Sequence, residues 1–403
     1  MASFLIFNIA PRARSLSTYI VGAKRTPMGS FQGSLSSLPG HKLGSLAIQE
    51  ALAQSGIPKD KVDEVYMGSV ISAGAGQAPD RQAALFAGIP DSVPCTLINK
   101  VCASGMKSIM VASMSLEVGN GSIAVAGGFE SMSNIPYYLS RGTLPYGGAK
   151  LRDGLIEDGL TDVYNKFHMG NCGENTAKVH GISREEQDEY AINSYKRSLA
   201  AYESRNICEE IFPVEITHKR KPTVIVSEDE EFRKAKFDKF SKLPTAFQRE
   251  NGTVTAGNAS TLSDGAAATI IASESAVSEH SLKPLAKIIG YADGATMPID
   301  FPIAPIFATE KLLKQVGLKA ADIDLWEINE AFSVVVLANM KILGLDPSKV
   351  NIHGGAVSLG HPLGASGARI VNHLVYALKP GQKGIASICN GGGGASSILI
   401  EKL

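Results

Sequence analysis

The chain has no surplus of either charge. Of its 403 residues, 39 are Lys or Arg and 39 are Asp or Glu, so the formal net charge is zero. That argues against a protein whose main task is to hold nucleic acid, which needs a basic excess. A cysteine framework is also missing. The five cysteines, at 95, 102, 172, 208 and 389, form no CxxC pair and are odd in number. This points away from a disulfide scaffold or structural zinc and towards a reducing compartment. No apolar run reaches the roughly 18 residues of a membrane-spanning helix. Neither GxxxxGK[ST] nor GxGxxG occurs in a strand-to-helix context, so no nucleotide loop is expected.

Acid is absent from the beginning of the chain. No Asp or Glu precedes Glu50, and residues 1–17, MASFLIFNIAPRARSLS, carry Arg12, Arg14 and three serines. An acid-free leader containing Arg and Ser has the character of a mitochondrial transit peptide, which places the protein in the matrix.

Hydrophobic residues make up 44% and charged residues 19%, enough for a large core in two or three domains or one duplicated unit. The sequence favours the duplicated unit. Residues 52–68, LAQSGIPKDKVDEVYMG, align with 313–329, LKQVGLKAADIDLWEIN, at an offset of 261. Each copy reads as a helix closed by Gly, a short loop and a strand. Ala103-Ser104-Gly105 matches Ala365-Ser366-Gly367 at an offset of 262. Two homologous α/β halves, 18–275 and 280–403, are expected, the first enlarged by a charged insertion at about 135–250. Within that insertion, 183–205 reads as a helix opened by a Ser183–Glu186 capping box. Apolar runs at 122–128 and 383–392 read as buried strands. Strands alternating with helices imply sheets covered on both faces, with sites at strand C-terminal ends and helix N-termini.

Four blocks concentrate chemistry. Cys102 lies at a strand-to-helix turn just before small residues. A helix N-terminus there lowers a thiol pKa and suits a nucleophile, although a small buried hydrophobe is the commoner fate of a free cysteine. His361, between Gly360 and Pro362, is held rigidly enough to be a general base for a thiol. The duplication sets its loop in the second half where the Cys102 turn falls in the first. In the run 387–394, SICNGGGG, a strand ends in Cys389 and four glycines allow close approach of a ligand or oxyanion to the backbone. Asn329, in the run Asn329-Glu330-Ala331-Phe332, reads as a group that orients a water or as a helix cap with an acidic first turn.

These blocks, their order and the duplication resemble the thiolase family over nearly everything after residue 17, and most of all its short-chain mitochondrial members. The resemblance implies a duplicated fold of αβαβα layers with an inserted loop domain. It implies an acyltransferase that cleaves acetoacetyl-CoA reversibly and condenses two acetyl-CoA molecules, by a ping-pong route through an acyl-Cys102 thioester. His361 would deprotonate Cys102, and Cys389 would move the proton at the α-carbon. One oxyanion hole would come from the N–H groups of Cys102 and Gly391, the other from His361 and a water held by Asn329. Coenzyme A, as substrate and product, would contact Tyr195, Lys234, Lys239 and Ser260, with His168, Met169 and Phe332 lining the pantetheine tunnel. Potassium would be held at Tyr195, Ala256, Gly257, Ala259 and Val357, mainly by backbone carbonyls, and no redox cofactor is needed. Phe301-Pro302 implies room for a 2-methyl group, hence isoleucine as well as ketone-body metabolism. Homotetramers are implied, with 136–148 as the assembly loop, and neither nucleic acid nor membrane is a partner. A longer-chain 3-ketoacyl-CoA thiolase shares the same blocks. A silent lipid-carrier or scaffold relative would have lost one.

Overall fold

The computed structural model describes residues 17–217 and 222–403. The leader reading therefore falls outside the described residues, apart from Ser17. In the first half the principal strands are β1 (Thr18–Arg25), β2 (Glu64–Gly68), β3 (Cys95–Ile98), β4 (Ile123–Ser131) and β5 (Ser263–Ser273). The second half has β6 (Ala286–Ala295), β7 (Leu325–Ile328), β8 (Lys383–Asn390) and β9 (Gly394–Lys402). The principal helices are α1 (Gly40–Ser55), α2 (Pro79–Phe86), α3 (Ser104–Glu117), α4 (Met169–His180), α5 (Arg184–Glu203), α6 (Ala304–Val316), α7 (Ser333–Leu343) and α8 (Leu363–Ala377).

The strands join in the order β7-β8-β9-β6-β1-β5-β4-β2-β3, and Gly29–Ser30 is added beside Ser263 and Asp264. The order is nearly a palindrome about the β6/β1 junction. There Thr18–Ile20 pair antiparallel with Ile288–Ala286. On one side β2 runs parallel to β3 and β4; on the other β7 runs parallel to β8 and, through a single bridge at Val350, to the counterpart of β3. The repeated segment behaves alike in both copies. α1 ends at Gly56 and α6 at Gly317, both left-handed at φ 71°, and a 3-10 turn then leads into β2 or β7. The halves differ between their last two strands. β8 reaches β9 through Gly391–Gly393, whereas residues 132–262, with α4 and α5, lie between β4 and β5.

Side-chain alternation sorts the layers. In β5, Ala267 and Ile271 face a core shared with α3 and α8, while Ala266, Ala268 and Ile270 face one shared with α1 and α2. In β8 and β9, Ala386, Ile388, Ile398 and Ile400 join the shared inner core, while Ile385 and Leu399 pack outward with Leu312 of α6 and Val336 of α7. The layers are thus outer helices, strands, the α3/α8 pair, strands, outer helices. The duplicated α/β architecture expected from the sequence is what forms. α3 and α8 are apolar on nearly every side because both of their faces are covered, so α8 buries even Arg369, Asn372 and His373.

Helix α5 runs over Arg184–Glu203 and opens with the capping box: Ser183 Oγ accepts from Glu186 N at 3.1 Å, and Glu186 Oε2 accepts from Ser183 N at 2.6 Å. The apolar run near 122 extends to Ser131, and that near 383 ends at Asn390. Among the described residues no helix is long and apolar enough to cross a membrane.

Candidate active site

Residues that follow β2, β3 and β4 of the first half and β7 and β8 of the second converge on the N-termini of α3 and α8. Cys102 sits in the turn that opens α3. The preceding Val101 has φ 48°, a sparsely populated conformation for a β-branched residue. The turn is closed by Ala103 N–H to Lys100 O at 3.1 Å and Ser104 N–H to Val101 O at 3.0 Å. Ser104 Oγ accepts from Lys100 N at 2.9 Å and donates to Val101 O at 2.6 Å. The N–H groups of Gly391 and of Cys102 itself point at the Cys102 sulfur.

His361 comes from the other half, in the turn that opens α8. Its N–H donates to Thr261 O at 3.1 Å, and its Nδ1 lies 2.6 Å from Ser366 Oγ. With the single Ser366 hydroxyl proton given to Pro362 O at 2.9 Å, Oγ accepts from the ring N–H at Nδ1. That tautomer leaves Nε2 unprotonated, with the Asn329 amide as its neighbour. Asn329 Nδ2 lies 3.5 Å from Nε2, and Asn329 Oδ1 has no partner among the described residues.

The electrostatics differ from the sequence expectation at Cys102. A helix N-terminus should lower the thiol pKa; instead burial pushes it up to about 12, against the two N–H groups and with Glu130 adding to the rise. Desolvation of the thiolate outweighs the dipole because the turn is closed to water. Burial also holds His361 down at about 3, with Arg369 adding to the effect. The resting pair is therefore neutral thiol and neutral imidazole. Cys389, fully buried where β8 ends, is pushed well up by burial and then by nearby Cys102.

Cys102, His361, Gly391, Met169, Phe332 and Ser260 surround one small apolar chamber of about 50 Å³, which Phe301 and His168 also line. A larger cavity of about 340 Å³ shares His168, Ser260, Phe332 and His361 with it and continues past Phe247 to Ala256 and Ala259. His168 accepts from Gly170 N at 3.1 Å and stacks on Phe247 with centroids 4.5 Å apart. Tyr195 is buried edge-on to Phe240 and Phe237, away from the chamber lining. Lys234 is engaged by acids, with Nζ 3.1 Å from Glu230 and 3.2 Å from Glu231, whereas Lys239 is exposed. Gly257 lies where an added Cβ would come within 2.6 Å of Leu243 and 3.2 Å of Phe240.

The cap reading of Asn329 fails, because α7 begins at Ser333 with Phe332 in the cap position. Glu330 is likewise not a first-turn acid. It accepts from Tyr190 Oη at 2.7 Å, Ser194 Oγ at 2.8 Å, Asn351 Nδ2 at 3.0 Å and Val357 N at 3.0 Å, tying α5 to the loop before His361. The sequence reading also missed Glu130, whose carboxylate contacts Gly364 N at 2.9 Å. The available signal was an acid ending an otherwise apolar strand, which is rarely buried without a set of donors.

The thiolase N-terminal domain family matches residues 18–275 and the thiolase C-terminal domain family matches 282–402. The chain belongs to the thiolase family. It is 64% identical to the mitochondrial acetyl-CoA acetyltransferase of Xenopus tropicalis over 95% of this chain and 91% of that protein. To the human mitochondrial acetyl-CoA acetyltransferase it is 62% identical, over 95% and 90%. Acat5 thiolase of Ascaris suum, solved in complex with coenzyme A, superimposes with a TM-score of 0.93 at 48% identity, covering 96% of this chain and all of that one.

Proposed function

We propose that the protein is an acetyl-CoA C-acetyltransferase that cleaves acetoacetyl-CoA with coenzyme A and runs the condensation in reverse. The observation that carries this is the meeting of Cys102, His361 and the Gly391 N–H at the closed end of an apolar channel, with a second thiol, Cys389, beside the first.

The neutral pair sets the order of events. As Cys102 Sγ bonds to the carbonyl carbon of acetoacetyl-CoA, its proton passes to His361 Nε2. The carbonyl oxygen takes up charge where hydrogen-bond donors converge. The carbon–carbon bond then breaks, and the departing enolate takes its proton from the Cys389 thiol, which burial keeps protonated at rest. This leaves acetyl-Cys102, imidazolium and a Cys389 thiolate, with acetyl-CoA free to leave. Coenzyme A enters, gives its thiol proton to Cys389 and bonds to the acetyl carbon. The Cys102 sulfur leaves and recovers its proton from His361. Both thiols and the imidazole return to their starting state. The unpartnered Asn329 Oδ1 suits an acceptor for a water that donates to the second oxyanion.

The small inner chamber favours short acyl groups over the longer-chain alternative, and Phe301 beside it is where a 2-methyl branch would fit. The carbonyls of Ala256, Gly257, Ala259 and Val357 accept no hydrogen bond among the described residues. That suits a hard cation such as potassium, which would stiffen the 255–260 turn beside the channel. Exposed Tyr137, Leu139, Leu144 and Tyr146 suit an assembly loop of a homotetramer. The matrix is the proposed location, in line with the leader composition. Ketone-body and isoleucine breakdown are the metabolic setting this substrate range implies.

Thiolysis of acetoacetyl-CoA, followed as loss of its magnesium–enolate absorbance, tests the activity. Turnover should fall steeply from four-carbon to ten-carbon 3-ketoacyl-CoA, and replacing sodium by potassium should raise it. A flat chain-length profile would place the enzyme with the longer-chain thiolases.

A further inference from the structure

Cys102 and His361 come from different halves of the chain, yet proton transfer between them tolerates little error in separation. Two of the contacts that bridge the halves reach the histidine turn. One is close backbone packing: an added Cβ on Gly364 would lie 2.5 Å from Phe129 O and 2.8 Å from Ser69 Cα. The other is a chain of hydrogen bonds through a buried carboxylate. Glu130 Oε2 accepts from Gly364 N at 2.9 Å, three residues beyond His361, and from Val70 N at 2.9 Å. Its Oε1 accepts from Ile71 N at 3.2 Å and Ser69 Oγ at 3.3 Å. Val70 O in turn accepts from Asn99 Nδ2 at 2.8 Å, and Asn99 Oδ1 accepts from Val101 N at 3.0 Å. The chain thus runs from the histidine turn to the strained residue beside the nucleophile.

We infer that Glu130 and Asn99 are positioning residues that set the distance and angle between Cys102 and His361. Glu130 is 2% exposed and carries four donors, so its carboxylate is held as a rigid clamp and not as a reacting group. Asn99 holds the N–H of Val101, a backbone that departs from its ordinary range. The second-half turn is thereby read through to the first-half turn without touching the channel in which coenzyme A would lie. This inference rests on the assignment of Cys102 as nucleophile and His361 as its base.

The test uses the full-length enzyme and radioactive acetyl-CoA. Glu130→Gln puts an amide N–H₂ against backbone donors, and Asn99→Ala severs the other end. Each should slow acetylation of Cys102 and kcat together by roughly 10–100-fold, the scale of a misplacement of about 1 Å. KM for acetyl-CoA should stay within about twofold, with kcat taken per active site counted by the acetyl label bound at completion, so that loss of folded enzyme does not enter the comparison. The double variant should lose little more than the worse single, since both cut one chain. Wild-type acetylation rates in either variant, KM rising in step with the fall in kcat, or losses that multiply in the double variant, would overturn the inference. Should Glu130→Gln fail to fold, Asn99→Ala carries the same KM-against-kcat reading alone. His361→Ala separates the two levels. Unimpaired acetylation there sinks the base assignment, whereas unimpaired acetylation in the positioning variants alone leaves that assignment standing.

Discussion

At the scale of single residues the unexpected feature is the neutrality of the Cys102–His361 pair. A thiol near 12 beside an imidazole near 3 means that the proton moves only when the acyl carbon arrives. Alkylation of Cys102 by iodoacetamide in the free enzyme should therefore keep rising between pH 7 and pH 10, about tenfold per unit, because thiolate grows with pH below the thiol pKa. A plateau above pH 7 would indicate a preformed thiolate–imidazolium pair and reverse this reading. The two thiols should also separate by substitution. Cys102→Ala should take up no acetyl label. Cys389→Ser should still acetylate Cys102 but lose condensation and deuterium exchange at the acetyl-CoA methyl by about 10²–10⁴-fold, since a hydroxyl is a poor acid and base at that carbon. Label on Cys389, or wild-type exchange in the serine variant, would reverse the assignment.

At the scale of elements, the short repeat Ala-Ser-Gly has a physical meaning that alignment alone did not supply. The serine of each copy bonds back to the turn before its helix: Ser104 to Val101 O, Ser366 to Pro362 O. The glycine of each copy lies where α3 and α8 meet. A Cβ on Gly105 would come within 2.6 Å of Gly364 O, and one on Gly367 within 2.5 Å of Met106 N. Both obstacles are backbone, so neither helix can yield without parting from the other. Gly367→Ala should destabilise the fold by about 1–3 kcal/mol or more, read as a lower midpoint in urea. It should also reduce activity, because Cys102 and His361 ride on the two helices. An unchanged midpoint would mean that the helices are less tightly joined than their geometry states.

At the scale of the whole molecule, a buried ionic cluster fastens the insertion to both halves. Arg25 of β1 meets Glu210 at 2.5 Å and Asp229 at 2.7 Å, both from the insertion, and His373 of α8 meets Glu210 at 2.7 Å. Burial alone would raise Glu210, but His373 and Arg25 hold it down at about 2. Burial would lower His373, but Glu210 and Glu327 raise it above its ordinary 6.5. The signs define a window. The Glu210 contribution is complete above its ordinary 4.5 and fades as pH falls towards 2. The His373 contribution is complete below 6.5 and fades as pH rises through its folded value. Thermal stability should therefore decline above pH 6.5, and His373→Gln should flatten that decline while lowering stability at pH 5–6. Parallel curves for the two proteins would show that the cluster is not what titrates.

The duplication and its elements are legible from the residues alone. The glycine-closed helix ends at 56 and 317, the Ser183–Glu186 box and the apolar strands are local features, written in spacing and in residue type. The four chemical blocks were equally legible, since each lies in an unusual local context of cysteine, histidine or glycine. Everything that depends on burial and on contact between distant segments took shape only in the folded chain. The thiol is raised and not lowered, because closure of the turn against the other half removes water. Lys234 is also held against Ser30 Oγ, 204 residues away, a contact that its sequence neighbours Glu230 and Glu231 do not foretell. The unprotonated Nε2 of His361 goes with Ser366 giving its proton to Pro362 O. Glu130 gains its place only when β4 and the second-half loop meet, because a carboxylate acquires its role from donors that lie far from it in the chain.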